Sequence, residues 1–383
     1  MPIQMRSSAY WLFACLAVVA LAGLPTVAAA DDADTCAKQS GDVAIAACSR
    51  AIASGKFRGE ELAAIYVSRG VEYKNKRGLD RAIADFDQAI RLVPKNTDVY
   101  TVRGMAWEAK GDFDRAIADF DQAIRLDPKN TDAYTVRGMA WEVKGDLDRA
   151  IADFDLAIRI DPKNTRAYTV RGVAWAAKGD LDRAIADYDQ AIRIDPKNAG
   201  VYDNRGIAWA AKGDLDRAIA DYDQAIRFDP KNSSWYFHRG LSNLYAGALP
   251  TALADLNQAS ELNPKHAYAA LWLDIVNKRS NLPSRLAEAA KQINMTWWPA
   301  PVIRLYLGQL TPEAVLAAAD HANPRAKQVR VCEANFYTGE LALQQGNADE
   351  AKRLFALAAA DCHKDFAAYA GATAELKVLG ARP

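Results

Sequence analysis

The stretch TDVYTVRGMAWEAKGDFDRAIADFDQAIRLDPKN, residues 97–130, decides the fold because it recurs along the chain. Residues 131–164 repeat it with five changes. The same 34-residue frame fits four further segments: 63–96, 165–198, 199–232 and 233–266. Every one of these six units has glycine at its eighth place, alanine at its twentieth and proline at its thirty-second. A fixed period of this length indicates a stack of similar supersecondary units.

Each unit has the pattern of two helices. In the second half, Ala116, Ile117, Phe120, Ala123 and Ile124 fall on one face of an amphipathic helix. The spacing therefore predicts that this face is buried against the helix formed by the first half.

Small residues and caps define the hairpin. Gly104 and Trp107 share a face of the first helix, and we expect Gly104 to face Ala116 so that the two helices approach closely. Asp112 is the predicted N-cap of the second helix. Pro128 ends that helix, since proline cannot continue a helix.

These landmarks, with an aromatic residue such as Trp107 at place eleven, resemble the tetratricopeptide repeat (TPR) family. The resemblance implies an all-α fold, a right-handed α-solenoid of helix-turn-helix repeats, here followed by divergent C-terminal helices. Because a single hairpin cannot bury its apolar faces, neighbouring hairpins stack and form a concave surface.

Departures from the period predict the domain organisation. We expect a secretory signal peptide over residues 1–30, an N-terminal capping half-repeat over 31–60, six tandem TPR repeats over 63–266, a divergent helical linker over 267–331, and a C-terminal TPR-like hairpin with a capping helix over 332–383. Within the linker, helices are predicted to begin near Pro283 and Pro312.

The N-terminus predicts export to the periplasm. Arg6 precedes an apolar run that ends at Leu24, and the small residues before Asp31 provide a cleavage site after Ala30. A membrane span would need about 20 apolar residues, more than this run contains. An outer-membrane lipoprotein attached through Cys15 is the alternative, although Phe13 suits such a site poorly. Cleavage would leave a mature chain with no membrane span.

Four cysteines remain after cleavage. The repeat register places Cys332 at the start of the first helix of the last hairpin and Cys362 at the end of its second helix, so the two lie side by side. Cys36 lies just upstream of the helix that carries Cys48 and can fold back onto it. We therefore predict the disulfides Cys332–Cys362 and Cys36–Cys48. Reduced, buried thiols are the alternative.

The C-terminal part carries a second resemblance. The LYLG turn at 305–308, the NFYTGELAL helix at 335–343 and the LFALA helix at 354–358 are similar to the NlpI family of bacterial envelope TPR lipoproteins. That resemblance implies an envelope adaptor that brings a periplasmic protease and murein hydrolases together, often as a homodimer.

Nothing in the sequence predicts catalysis, a metal or a cofactor. Lys plus Arg and Asp plus Glu number 48 each, and this balance argues against a general nucleic-acid surface. No two of His238, His266, His321 and His363 have metal-ligand spacing, and no nucleophile elbow or phosphate loop occurs.

Two recurring charges have alternative interpretations. The arginine at place seven, such as Arg103, could form a basic ladder for an acidic ligand or pair with a carboxylate such as Asp119 on the second helix. The second interpretation is favoured because every repeat offers such a carboxylate. Asp119 and Asp121, two residues apart, diverge on a helix and are interpreted as a solvated surface rather than a cation site.

The candidate ligand surface is the concave groove, which first-helix places 2, 5, 9 and 12 line in TPR proteins. We predict that it binds other periplasmic or envelope proteins or peptides, as an extended segment or a helix with apolar anchors. The predicted groove residues are Thr101, Met105, Glu108, Thr135, Met139, Glu142, Thr169, Val173, Asp203, Ile207, Phe237, His238 and Leu241.

Specificity is expected where the repeats break their pattern, at Asp203, Trp235, Phe237 and His238 and at the Trp297–Trp298 pair. Packing against the divergent helices is the alternative role for Phe237 and is favoured for the two tryptophans. Two other functions stay open: a self-associating structural module whose groove is filled by its own dimer partner or C-terminal helices, and an envelope enzyme with an unrecognised site.

Overall fold

The computed structural model describes residues 27–362 and 367–381, which form α-helices and connecting turns with no β-strand among them. The predicted all-α fold is confirmed for this part of the chain. The helices divide into two compact units, one ending at Leu126 and the other beginning at Asp127.

The first unit contains three consecutive helical hairpins. Its helices are α1 Val27–Lys38, α2 Gly41–Ala53, α3 Gly59–Asn75, α4 Leu79–Leu92, α5 Thr97–Lys110 and α6 Phe113–Leu126.

The second unit begins with four further repeat hairpins, followed by α15 and the divergent C-terminal helices. The hairpin helices are α7 Thr131–Val143, α8 Leu147–Ile160, α9 Thr165–Ala177, α10 Leu181–Ile194, α11 Ala199–Ala211, α12 Leu215–Phe228, α13 Ser233–Tyr245 and α14 Leu249–Leu262. The remaining helices are α15 Ala267–Arg279, α16 Leu286–Ala290, α17 Ala300–Tyr306, α18 Pro312–Ala318, α19 Pro324–Gln344, α20 Ala348–Asp361 and α21 Ala367–Val378.

In five of the six repeat hairpins a glycine of the first helix lies against an aromatic ring of the second, and in the sixth Gly240 lies against Leu256. A β-carbon at Gly206 in α11 would lie 2.6 Å from the ring of Tyr222 in α12. The three nearest atoms to such a carbon at Gly104 likewise belong to the Phe120 ring, so this ring lies directly against the glycine. Alanine at place twenty is nonetheless fully buried, which leaves no room for a longer side chain.

The predicted cap of the second helix is confirmed, and the next repeat is capped in the same way. Asp112 accepts a hydrogen bond from the backbone N–H of Arg115 at 3.1 Å. Asn130, which follows Pro128, accepts one from the N–H of Ala133 at 2.9 Å. These contacts satisfy amide groups that have no partner within the helix.

The ends of the array differ from the sequence prediction in detail. Cys36 lies on a helix of its own, so α1 and α2 form a hairpin within the predicted half-repeat. The helix expected near Pro283 begins only at Leu286 and is five residues long. Helix α18 does begin at Pro312, and the Thr311 hydroxyl caps it by accepting from the N–H of Ala314.

Helix α19 begins eight residues earlier than predicted. Asn323 accepts a hydrogen bond from the N–H of Ala326, and Pro324 occupies the first turn. Cys332 therefore lies inside this helix rather than opening it. It still meets Cys362, because Cys362 directly follows α20, which packs antiparallel to α19.

Residues 1–26 of the predicted signal peptide lie outside the described residues, as do 363–366, including His363, and 382–383. Among the described helices, none combines the length and the apolar character that a bilayer crossing requires.

Candidate functional site

The arginine at place seven of each repeat binds carboxylates within the chain and is not available as a basic surface for an acidic ligand. We call this set of contacts the arginine staple. Arg103 donates from Nε and Nη2 to the two carboxylate oxygens of Asp119 at 2.8 and 2.6 Å. Its remaining terminal nitrogen donates to Asp87, on the second helix of the preceding hairpin, at 2.6 Å. The hydrogen bonds to Asp119 raise the pKa of Arg103 above its usual range. The predicted intra-hairpin pair is thereby confirmed.

The Asp-x-Asp motif follows from this staple. Asp85 pairs with Arg69 inside its own hairpin, and Asp87 pairs with Arg103 of the next one. Asp85 is buried, so the interpretation of the motif as a solvated surface is wrong. The two carboxylates point to different arginines because residues two apart diverge on a helix.

Some of the predicted groove residues are buried and the others are half-buried. In the first unit, Thr101 is buried while Met105 and Glu108 are half-buried. In the second unit, Met139, Glu142, Thr169, Val173 and Ile207 are half-buried and Thr135 is fully buried. The Thr135 hydroxyl donates to the carbonyl of Thr131, so it belongs to the helix and offers nothing to a ligand. Place nine of α7, α9 and α11 thus supplies a partly open apolar stripe.

The sixth repeat does not continue this stripe. Phe237 and Leu241 of α13 are only 5% and 6% exposed. Both belong to an apolar cluster that includes Ile275 of α15 and Phe336 of α19. The alternative of packing is therefore the one that the structure shows for Phe237, and Leu241 shares it.

Asp203 and His238 pair with each other. His238 Nδ1 lies 2.7 Å from Asp203 Oδ1, and Asp203 is buried. Burial opposes the charged imidazole, but the Asp203 carboxylate outweighs it and raises the pKa of His238. These two residues, which break the repeat pattern, form a contact between α11 and α13. The Asp203 carboxylate is therefore already paired and is not exposed to a ligand in the groove.

Glu142 differs from the other groove residues. It lies on α7 one turn beyond Met139, and burial raises the pKa of its carboxyl to about 7. Arg325, in the first turn of α19, acts in the opposite direction. Arg325 was not among the predicted site residues, although the Asn323–Pro324 pair is a helix-start signal that could have placed it.

The two neighbouring tryptophans have different surroundings. Trp298 is half-buried and its Nε1–H donates to Glu333 Oε2 at 2.5 Å, and Tyr268 donates to the same oxygen. Packing is confirmed for Trp298. Trp297 is 70% exposed, so the expectation that it packs is wrong.

A buried ionic cluster joins α15, α19 and α21. Arg279 Nη2 donates to Glu340 at 2.6 Å and to Glu375 at 2.8 Å. Glu340 is fully buried, and its Oε1 has no hydrogen-bond partner among the described residues. No local pattern could have predicted this cluster, since the three residues are far apart in sequence.

Both predicted disulfides are present. Cys36–Cys48 joins α1 to α2 with a Cα–Cα distance of 4.8 Å, and Cys332–Cys362 closes the α19–α20 hairpin at 5.2 Å. Within the described residues, no group of three or more His, Cys, Asp or Glu side chains is arranged to hold a metal ion.

Comparison with known families identifies the repeats. A tetratricopeptide repeat model matches residues 68–130 and 108–165, and a TPR repeat model matches 175–213 and 208–244.

Two solved structures share the fold at low sequence identity, and a third is similar over about half of this chain. A tetratricopeptide repeat protein from Parabacteroides merdae is 18% identical, with a TM-score of 0.51 over 65% of this chain and 95% of that one. The APC/C hetero-tetramer Cut9–Hcn1 gives 16% identity and a TM-score of 0.51 over 61% of this chain and 48% of that one. YrrB, described as a TPR protein with an unusual peptide-binding site, is 22% identical with a TM-score of 0.40 over 48% of this chain and 95% of YrrB.

Proposed function

Because residues 68–165 and 175–244 are tetratricopeptide repeats, a family that generally mediates protein–protein interaction, we propose that this chain is a periplasmic adaptor of the bacterial cell envelope. Its partners are other envelope proteins or peptides, and it does not catalyse a reaction itself. TPR folds are typically non-enzymatic scaffolds, in line with this role.

The half-buried stripe of Met139, Val173 and Ile207 is the observation that carries the proposal. These residues occupy the same place on three successive first helices of the second unit, so they offer a ligand a repeated apolar contact. An extended segment or an amphipathic helix binds such a surface through its own apolar side chains.

Two features support the location. The N-terminal sequence has the order of a secretory signal, and two disulfides are typical of a compartment outside the reducing cytoplasm. The similarity of the C-terminal sequence to NlpI supports a role in tethering a protease or murein hydrolases, with a homodimer as the assembly.

A structural, self-associating module is the second candidate. The burial of Phe237 and Leu241 against the chain's own C-terminal helices favours it, because the molecule itself covers that part of the first-helix face.

Capture from a periplasmic extract tests the proposal. The full chain and a Val173→Glu, Ile207→Glu variant would be used as paired baits, with light scattering to give the mass of each. Partners that bind the parent chain and not the variant support the adaptor. A self-associating chain that retains the same proteins on both baits would contradict it.

A further inference from the structure

We propose that the first-helix face of the second unit binds a peptide segment that presents one lysine or arginine side chain to Glu142, between apolar residues that contact Met139 and Val173. This inference rests on the proposed function and specifies the chemistry of its ligand.

Glu142 is a poorly compensated charge. Its side chain is half-buried on α7, and no described residue forms a hydrogen bond or a close ion pair with its carboxylate. Removing a carboxylate from water is unfavourable unless a cation or a donor replaces the lost hydration. A ligand cation that donates directly to Glu142 supplies that replacement.

The residues around Glu142 determine which ligand side chains can lie on either side of the ligand lysine or arginine. Met139 lies one turn before it on the same face, and Val173 and Ala176 occupy the corresponding places of α9. All three are half-buried, so they can contact small or aliphatic side chains of a ligand. Arg166 Nη2 lies 3.3 Å from the Met139 sulfur and would repel a second basic residue.

Arg325 is the residue of this chain whose positive charge acts on Glu142. The charge of Arg325 lowers the pKa of Glu142, against the larger effect of burial, and no hydrogen bond joins the two side chains. Arg325 is exposed and lies in the first turn of α19, where the helix dipole disfavours positive charge. A ligand lysine or arginine can therefore supply the hydrogen bond that Arg325 does not.

Two peptides distinguish this inference from general apolar binding. One has the sequence Gly-Ala-Leu-Ala-Lys-Ala-Leu-Ala-Gly, and the other replaces the lysine with norleucine, which keeps the aliphatic stem without the charge. Affinities for the full chain would be measured at pH 8 by fluorescence anisotropy. The lysine peptide is expected to bind about tenfold more tightly than the norleucine peptide.

Three variants complete the design. Glu142→Gln should remove the tenfold preference while leaving the norleucine peptide unaffected. Arg325→Gln removes the internal competitor and should tighten binding of the lysine peptide. Glu261→Gln, an exposed carboxylate on α14, is the matched control and should change neither affinity. Circular dichroism would show that each variant is folded.

The binding results distinguish a failure of the Glu142 site from a failure of the proposed adaptor function. Equal binding of both peptides, or a lysine preference that survives in Glu142→Gln, would overturn the inference and leave the adaptor function in place. Absence of binding by both peptides to the parent chain and to Arg325→Gln, with no partner captured from the periplasmic extract, would overturn both.

Discussion

Gly104 lies directly against the ring of Phe120, so that even the β-carbon of an alanine would overlap the ring. This contact joins the two helices of its repeat, and Phe120 is fully buried, so the ring has no space into which to move. We expect Gly104→Ala to lower the free energy of unfolding by about 1–3 kcal/mol, the usual range for overpacking a core.

Chemical denaturation followed by circular dichroism measures the effect of Gly104→Ala. The double variant Gly104→Ala, Phe120→Leu is the control, since the sixth repeat already pairs Gly240 with the smaller Leu256. The double variant should lose less than the sum of the two single losses. An unchanged denaturation midpoint for Gly104→Ala would show that the hairpin can open at no cost.

Arg205 holds two carboxylates on different hairpins. It makes two hydrogen bonds to the buried Asp221 and a third to Asp189. Arg205→Met leaves Asp221 buried without its partner, and we expect a loss of about 3 kcal/mol in the free energy of unfolding. Arg193→Met, at an exposed position of α10, is the control and should change it by less than about 0.5 kcal/mol. Similar losses for the two variants would contradict the staple.

The repeat pattern predicted what lies within a hairpin and not what lies between hairpins. Arg103 and Asp119 lie 16 residues apart on the two helices of one hairpin, and the period repeats this arrangement, so their pairing follows from the period. The contact of Arg103 with Asp87 depends on the rotation between successive hairpins, which the period does not specify. The groove prediction failed at Phe237 for a related reason, because its burial depends on helices that lie far along the chain.

Outside the repeats, local signals located some helices and missed others. Pro312 placed α18 correctly because Thr311 supplies a cap. The prediction from Pro283 placed the helix too early: Ser284 accepts a hydrogen bond from the N–H of Leu286, and α16 begins at Leu286. The Glu340–Arg279–Glu375 cluster has no sequence signal at all, because each residue reads as an ordinary surface charge until the helices pack.

The two disulfides should contribute unequally to stability. Cys332–Cys362 closes a longer loop than Cys36–Cys48, with sequence separations of 30 and 12. Restricting a longer loop removes more entropy from the unfolded chain. The double serine variant at 332 and 362 should therefore lose more unfolding free energy than the variant at 36 and 48, with a total loss on the order of 3 kcal/mol. Thermal unfolding of both double variants, with and without a reducing agent, measures this difference. A larger loss from removing Cys36–Cys48 would contradict the loop argument.

The raised pKa of Glu340 should make the unfolding free energy depend on pH. Its complete burial raises its pKa from 4.5 to about 7, with Arg279 acting to lower it and Glu375 to raise it. The folded state therefore binds a proton more tightly than the unfolded state does. The resulting stabilisation is fully present below about pH 4.5 and is lost as the pH rises through about 7. We expect the chain to resist denaturation better at pH 5.5 than at pH 8 on this account.

Glu340→Gln isolates the contribution of this carboxyl from those of other titrating groups. The amide keeps the shape and stays neutral at both pH values, so the variant should gain stability at pH 8 relative to the parent chain and gain less, or nothing, at pH 5.5. Urea denaturation of both proteins at the two pH values gives the comparison. His238, whose pKa is also raised, titrates in both proteins and cancels in the difference. If the parent chain and the variant keep the same difference in unfolding free energy at both pH values, Glu340 does not change its protonation in this range, and the hydrogen bond from Arg279 alone keeps it ionised.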